Sequence, residues 1–276
     1  MDKTIDGAIR IACEAHIGRS RTAEDSMARE PAEKLAVILD TNLPEGGLPP
    51  TWHWAYFGKA ISKHEIGRDA HERLGLFLPP APFDRRMWAA GEVTMQRPLR
   101  LGIPAKRVST ITDVTFKDGS SGPLCFVTVE HVVTQEGEHT VRERQTIVYR
   151  DRGTSERPLR EAHDPVPEGY RVHPDWQLFF YSAVTHNGHR IHWDRDFCRD
   201  VEGYPGLVVH GPLMATELCD AMRDGLAPCH FVFRATAAVF ETSPTRMVLG
   251  KPGRACEGRI ERSDGVVSMK AELTRL

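Results

Sequence analysis

Tyr181-Ser-Ala-Val-Thr-His-Asn-Gly-His-Arg-Ile-His-Trp-Asp194 gathers three histidines, an asparagine and an aspartate into one short stretch. Gly203-Tyr-Pro-Gly-Leu-Val-Val-His-Gly-Pro-Leu-Met-Ala215 follows it closely. Within the second stretch, His210-Gly-Pro212 opens a helix expected over 211–224. Glycine there permits close backbone approach and proline suits a first helical turn. Leu213, Met214, Leu218 and Ala221 then fall at helical spacing on one face, with Glu217 among them. The N–H groups that begin a helix have no partner inside it and favour negative charge. A histidine, which titrates near neutrality, beside such an anion-binding helix start is suited to proton transfer coupled to a developing oxyanion.

Outward from this segment the chain reads as α+β. Residues 1–40 are expected to be helical, with Pro31 at a first turn and strong helix formers to Leu39. Residues 43–50 form a Gly/Pro loop, and Pro79, Pro80 and Pro82 exclude a regular helix or central strand around them. Residues 91–150 read as strands. Phe126, Thr128, Glu130 and Val132 alternate with Val127, Val129, His131 and Val133, and a turn at Gln135-Glu-Gly-Glu138 leads into Val141–Tyr149. Residues 151–168 are polar and proline-rich, as a linker would be. Further strands are expected at 230–241, 254–262 and 266–275. The L-G-x-P tails at Leu101 and Leu249, about half a chain apart, suggest a duplication, with chance a serious competitor for so short a match. Two similar units, each a sheet around one helix, are the expected arrangement.

Composition narrows the classes of function. With 36 basic and 38 acidic residues the net charge is −2, which gives no electrostatic footprint for nucleic acid. The sequence has no apolar run near the ~20 residues of a membrane span, and the N-terminus lacks a secretory pattern. A cytoplasmic location is expected. Six cysteines without a C-x-x-C pair point to buried apolar residues rather than a disulfide framework. His186, His189 and His192 would need a helix to converge on a metal, and the Asn187-Gly188 between them signals a turn instead, so no metal is expected.

The first segment resembles the hydratase motif of the MaoC-like, R-specific enoyl-CoA hydratase family. Tyr181 falls on that motif's aromatic position, Thr185 on a small residue, Asn187 on the catalytic Asp, His189 on the Asn and His192 on the catalytic His. Cys198 falls on its final small residue. Val208-Val-His-Gly-Pro-Leu213 resembles the helix start whose glycine N–H forms the oxyanion hole, which places Gly211 in that role. The run through Trp193-Asp194, followed by Gly203–Leu213, is similar to the double-hotdog type 2 hydroxyacyl-thioester dehydratases, a branch that includes mesaconyl-C4-CoA and itaconyl-CoA hydratases. Leu48–Trp54, Gly75–Pro80, Arg85–Gly91 and Ser121–Val129 are similar to that branch's first half.

The resemblance implies a double hotdog, with a non-catalytic, pocket-shaping unit over 1–160 and a unit carrying the motif over 161–276. It implies a hydro-lyase without cofactor, acting on an acyl-CoA and compatible with a homodimer; no nucleic acid or membrane partner is expected. His192, Asn187 and Gly211 are the expected catalytic residues. Tyr181, Thr185, His189, Asp194, His210, Arg85 and Arg86 are expected around the substrate, the arginines as candidates for a substrate carboxylate. Trp52, Trp54 and Trp88 are candidate walls. Asn187 departs from the motif, because an amide is no base. Asn187 either orients water or caps a turn, and His189 or Asp194 are candidate substitutes for the missing carboxylate. Three other readings remain open: 3-hydroxyacyl dehydration on acyl carrier protein or CoA, thioester hydrolysis, and acyl-thioester binding without turnover.

Overall fold

In the computed structural model, which describes residues 5–119, 122–151 and 164–276, one antiparallel sheet runs through both halves of the chain. α1 (Gly7–Glu14), β1 (Ser20–Asp25) and α2 (Arg29–Ile38) come first. β2 (Arg85–Met95), β3 (Ala105–Gly119), β4 (Gly122–Gln135) and β5 (Glu138–Arg150) follow. The second half holds α3 (Asp175–Val184), α4 (Gly211–Met222), β6 (Cys229–Ala235), β7 (Thr245–Leu249), β8 (Ala255–Arg262) and β9 (Val267–Arg275). The strand order is β1-β3-β4-β5-β2-β6-β9-β8-β7. From the β2–β6 junction the order mirrors itself outward, β5-β4-β3 on one side and β9-β8-β7 on the other. This is the expected double hotdog.

The halves are unequal where the site lies. In the second half, α4 lies between α3 and β6, with Leu213, Met214, Leu218 and Cys219 buried. In the first half the chain between α2 and β2 has only a 3-10 turn, Trp52–Ala55, and loops. That turn is pinned from both sides. Glu143 on β5 accepts hydrogen bonds from His53 Nε2 at 2.8 Å and Trp54 Nε1 at 2.9 Å. Trp52 Nε1 donates to Asp220 Oδ2 on α4 at 2.9 Å, which ties the halves together. Burial alone would raise the Glu143 carboxyl, but His53 and Gln145 hold it down to about 2.

Three expectations are corrected. Residues 20–25 are a strand within the stretch expected to be helical; Ser-Arg-Thr-Ala-Glu-Asp has no apolar face, and its pairing with β3 decides its state. β6 stops at Ala235 rather than 241, and β7 forms at 245–249, where no strand was expected. The L-G-x-P tails are not equivalent: Leu101 lies between β2 and β3, Leu249 at the end of β7. The mirrored order pairs β3 with β7, so the match is offset by a strand. The expected linker lies mostly, and the expected boundary at residue 160 wholly, outside the described residues.

The junction depends on a glycine. Gly91 on β2 pairs with Phe233 on β6, and a Cβ there would sit 2.7 Å from the Phe233 ring. The ring occupies the space a side chain would take. Gly91→Ala is expected to cost about 1–3 kcal/mol through overpacking, read as a lowered denaturant midpoint at unchanged slope.

Candidate active site

A backbone clamp builds the site. Val208 donates its N–H to Ile191 O at 2.8 Å and accepts from His192 Nδ1 at 2.7 Å. The 3-10 turn Arg190–His192 is thereby fixed against the strand-like entry to α4. With the Nδ1 proton donated to Val208, Nε2 of the neutral ring keeps the lone pair. His192 is only 6 % exposed, and burial pushes its pKa down to about 4, so the ring is neutral at pH 7. His210 stacks on it with centroids 3.6 Å apart. His210 is itself fully buried, hydrogen-bonded through Nε2 to Ser182 Oγ at 2.8 Å, and burial holds it well below the usual histidine range.

His192 lines a cavity of about 510 Å³ together with Asn187, His189 and Gly211. Gly211 begins α4; the His210 side chain makes no capping hydrogen bond there. Gly211, Pro212 and Met214 of that first turn line the cavity, at the end of a helix where N–H groups have no partner inside it. The wall from the first half includes Trp88, Arg86, Gln145 and Arg150.

The other expected residues divide. His189 and Arg86 line the cavity. Tyr181 is a core residue, 1 % exposed, with its ring edge on His210 at 4.8 Å. Thr185 ends α3, its Oγ1 donating to Tyr181 O at 2.6 Å. Asp194 is held by Arg190 at 2.7 and 2.9 Å, and its other oxygen accepts the Phe197 N–H at 2.9 Å. The Phe197 N–H and Arg190 lower its pKa; it shapes the turn that follows and is not on the cavity wall. His210 lies beneath His192 rather than on the wall. Arg85 does not face a substrate either: it is buried against Glu202, Nε to Oε2 at 3.0 Å, and stacks over Tyr204. Of the candidate tryptophan walls, Trp88 lines the cavity, while Trp54 backs it at 4.8 Å and Trp52 is core.

Asn187 lines the cavity, but its Oδ1 accepts the His189 N–H at 3.1 Å, an Asx-type turn. The histidines at three-residue spacing diverge: His186 lines a separate hollow beside Phe179 and Trp193, not the cavity. Among the described residues no group of three or more His, Cys, Asp or Glu is placed to hold a metal ion. Sequence reasoning missed Asp69 and His71. They come from a charged stretch, His64–Arg73, with neither periodicity nor motif, and only its density of titratable groups marked it. Asp69 binds Arg86 at 2.7 and 2.9 Å; burial opposes its ionisation, Arg86 outweighs this, and the carboxyl titrates below its usual range.

Comparisons agree with this architecture. Residues 51–241 match the family described as hydroxyacyl-thioester dehydratase type 2. The chain is 37% identical over 271 residues to the mesaconyl-C(4)-CoA hydratase of Chloroflexus aurantiacus, covering 93% of this chain and 95% of that one. It is 24% identical over 269 residues to the mitochondrial hydroxyacyl-thioester dehydratase type 2 of Schizosaccharomyces pombe, covering 83% and 90%. In fold it resembles HtdX of Mycobacterium tuberculosis (TM-score 0.69, 14% identity, 94% and 100% covered). It also resembles an M. tuberculosis protein described as a double hotdog (TM-score 0.56, 10% identity, 94% and 96% covered). With a buried neutral histidine and a helix start on one cavity, in a double hotdog, this chain belongs to the type 2 hydroxyacyl-thioester dehydratases and is a hydro-lyase.

Proposed function

We propose that the chain hydrates the double bond of a short, branched, α,β-unsaturated dicarboxylyl-CoA, or removes the water in reverse. His192 carries the proton and the Gly211 N–H stabilises the thioester oxygen. The observation behind this reading is the neutral His192, its tautomer set by Val208, on the same cavity as the first turn of α4. In hydration, Nε2 takes a proton from water as the water oxygen bonds to the β-carbon. Electrons move onto the thioester oxygen, where a backbone N–H at the helix start lowers the cost. The enolate then collapses, and the α-carbon takes back the proton that Nε2 removed from water, which leaves the ring neutral again. The sum is HO at the β-carbon and H at the α-carbon. Asn187 keeps the turn that presents His189 and His192 to the cavity.

Arg86 and Arg150 both line the cavity, beside polar Gln145 and apolar Trp88, Val209 and Met214. Arg86 is already neutralised by Asp69. A second substrate carboxylate matches the remaining charge better than a plain acyl chain does. The relative named a mesaconyl-C(4)-CoA hydratase acts on such a substrate class. We place the chain in the cytoplasm, where six free, buried thiols stay reduced. Among the described residues no helix is long and apolar enough to cross a membrane.

Hydration of mesaconyl- or itaconyl-CoA, followed by loss of enoyl-thioester absorbance, is expected to exceed that of long enoyl-CoAs. Preference for the long chains would replace the dicarboxylyl substrate and leave the chemistry. His192→Ala is expected to lower kcat by about 10²–10⁴-fold, the usual worth of a general base; turnover that survives would move the proton transfer elsewhere. The pH dependence has a defined sign. Burial lowers the folded pKa of His192 to about 4, so the base stays unprotonated well below 6.5. The acid limb of kcat/KM is expected nearer 4 than 6.5. The unfolded chain binds more protons between these values, so stability is full above about 6.5 and is lost as pH falls toward 4. Thermal melts across that window test it, and His192→Gln should shallow the slope.

A further inference from the structure

The motif carries no free carboxylate: Asn187 replaces it and spends its Oδ1 on the turn. A carboxylate reaches the site from the other half of the chain. Residues 65–73 fold into a small hairpin, with Ile66 bridged to Glu72, Gly67 N donating to His71 O at 2.7 Å and Arg73 N to Glu65 O at 2.7 Å. Its tip is seated on the motif. Arg190 donates N–H to Asp69 O at 3.1 Å and Nη1 to Arg68 O at 3.3 Å. A Cβ on Gly188 would lie 2.6 Å from Ala70 O, so only glycine permits this approach. The Asp69 carboxylate is oriented by Arg86 and by the His71 N–H at 3.2 Å. Its Oδ2 stands 4.0 Å from His189 Nε2.

We propose that Asp69 is a positioning residue for His189, drawing its Nε2–H and leaving Nδ1 as a second lone pair beside His192. The two imidazoles then share the handling of water that a motif carboxylate and His192 would otherwise divide. The proposal rests on the hydratase reading of the same cavity. A neutral imidazole has one N–H, and an acceptor on one nitrogen decides which nitrogen is basic. Val208 does this for His192, and Asp69 is placed to do it for His189. The 4.0 Å separation is longer than a hydrogen bond, and such contacts shorten when substrate excludes water. The groups facing His189 are His71 at 4.9 Å between ring centroids, His192 at 5.5 Å, Asp69 and Arg86. Burial, His71, His192 and Arg86 all disfavour its protonation and Asp69 alone favours it; the ring is held well below the usual histidine range. Two neutral bases therefore stand side by side at pH 7.

The rival account makes Asp69 only the counter-charge of Arg86, and one set of variants separates the two. Asp69→Asn is expected to lower kcat about 10-fold or more with little change in KM. Asp69→Asn/Arg86→Gln, which removes both charges, should stay as slow, and Asp69→Asn should cost nothing further in a His189→Gln background. Recovery in the double variant, an additive loss in the His189→Gln background, or a single-variant loss below twofold would overturn the proposal. Side-chain ¹⁵N spectra of the wild type read the ring directly: protonated Nε2 on His189 supports the assignment, and protonated Nδ1 defeats it. Should the wild type turn over no enoyl-CoA, the hydratase reading falls, and these spectra alone decide whether Asp69 orients His189.

Discussion

The ladder between β2 and β6, from Ala90–Arg234 to Met95–Cys229, is the constraint on which the rest depends. It makes one sheet of two halves and sets them edge to edge through β2 and β6. Trp88 on β2 is thereby brought over the start of α4, its carbonyl 3.3 Å from where a Gly211 Cβ would be. Both halves then wall a single cavity, and neither closes it alone. Gly91 lets the Phe233 ring lie across the junction, and the Trp52–Asp220 hydrogen bond secures the same join from the helical side.

Burial of imidazole rings has different consequences in different places. His53 and His173 each face a buried carboxylate, Glu143 at 2.8 Å and Glu217 at 3.0 Å, and these pairs hold the Trp52–Ala55 turn to β5 and the approach to α3 to α4. His192 faces a backbone carbonyl instead, and no carboxylate offsets its desolvation. A charged ring there would be costly, so the neutral base persists. The residue type is the same; the partner that the fold supplies decides between a tie to a carboxylate and a buried neutral ring.

Much of this was legible in the chain. Alternation in 126–133 and the Gly-containing turn at 135–138 are local signals, and they became the β4–β5 hairpin. The helix opened by His210-Gly-Pro212 follows from the residues themselves. β1 and β7 were not legible, because each is short and edge-placed, and β1 owes its state to β3, a neighbour remote in sequence. Arg85 and Arg86 look alike as a sequence pair. Alternation along β2 sends one to Glu202 and the other to Asp69 at the cavity.

The sequence by itself determined the kind of fold and the motif segment that carries His192 and Gly211, since spacing within a short stretch is preserved however the rest folds. Tertiary structure alone decided that Asn187 serves a turn, that Tyr181, Thr185 and Asp194 support rather than line the cavity, and that Asp69 stands beside His189. Those outcomes depend on contacts between residues more than a hundred positions apart or on which polar atom is already satisfied. Such facts arise only when the sheet closes and each buried group must find its partner.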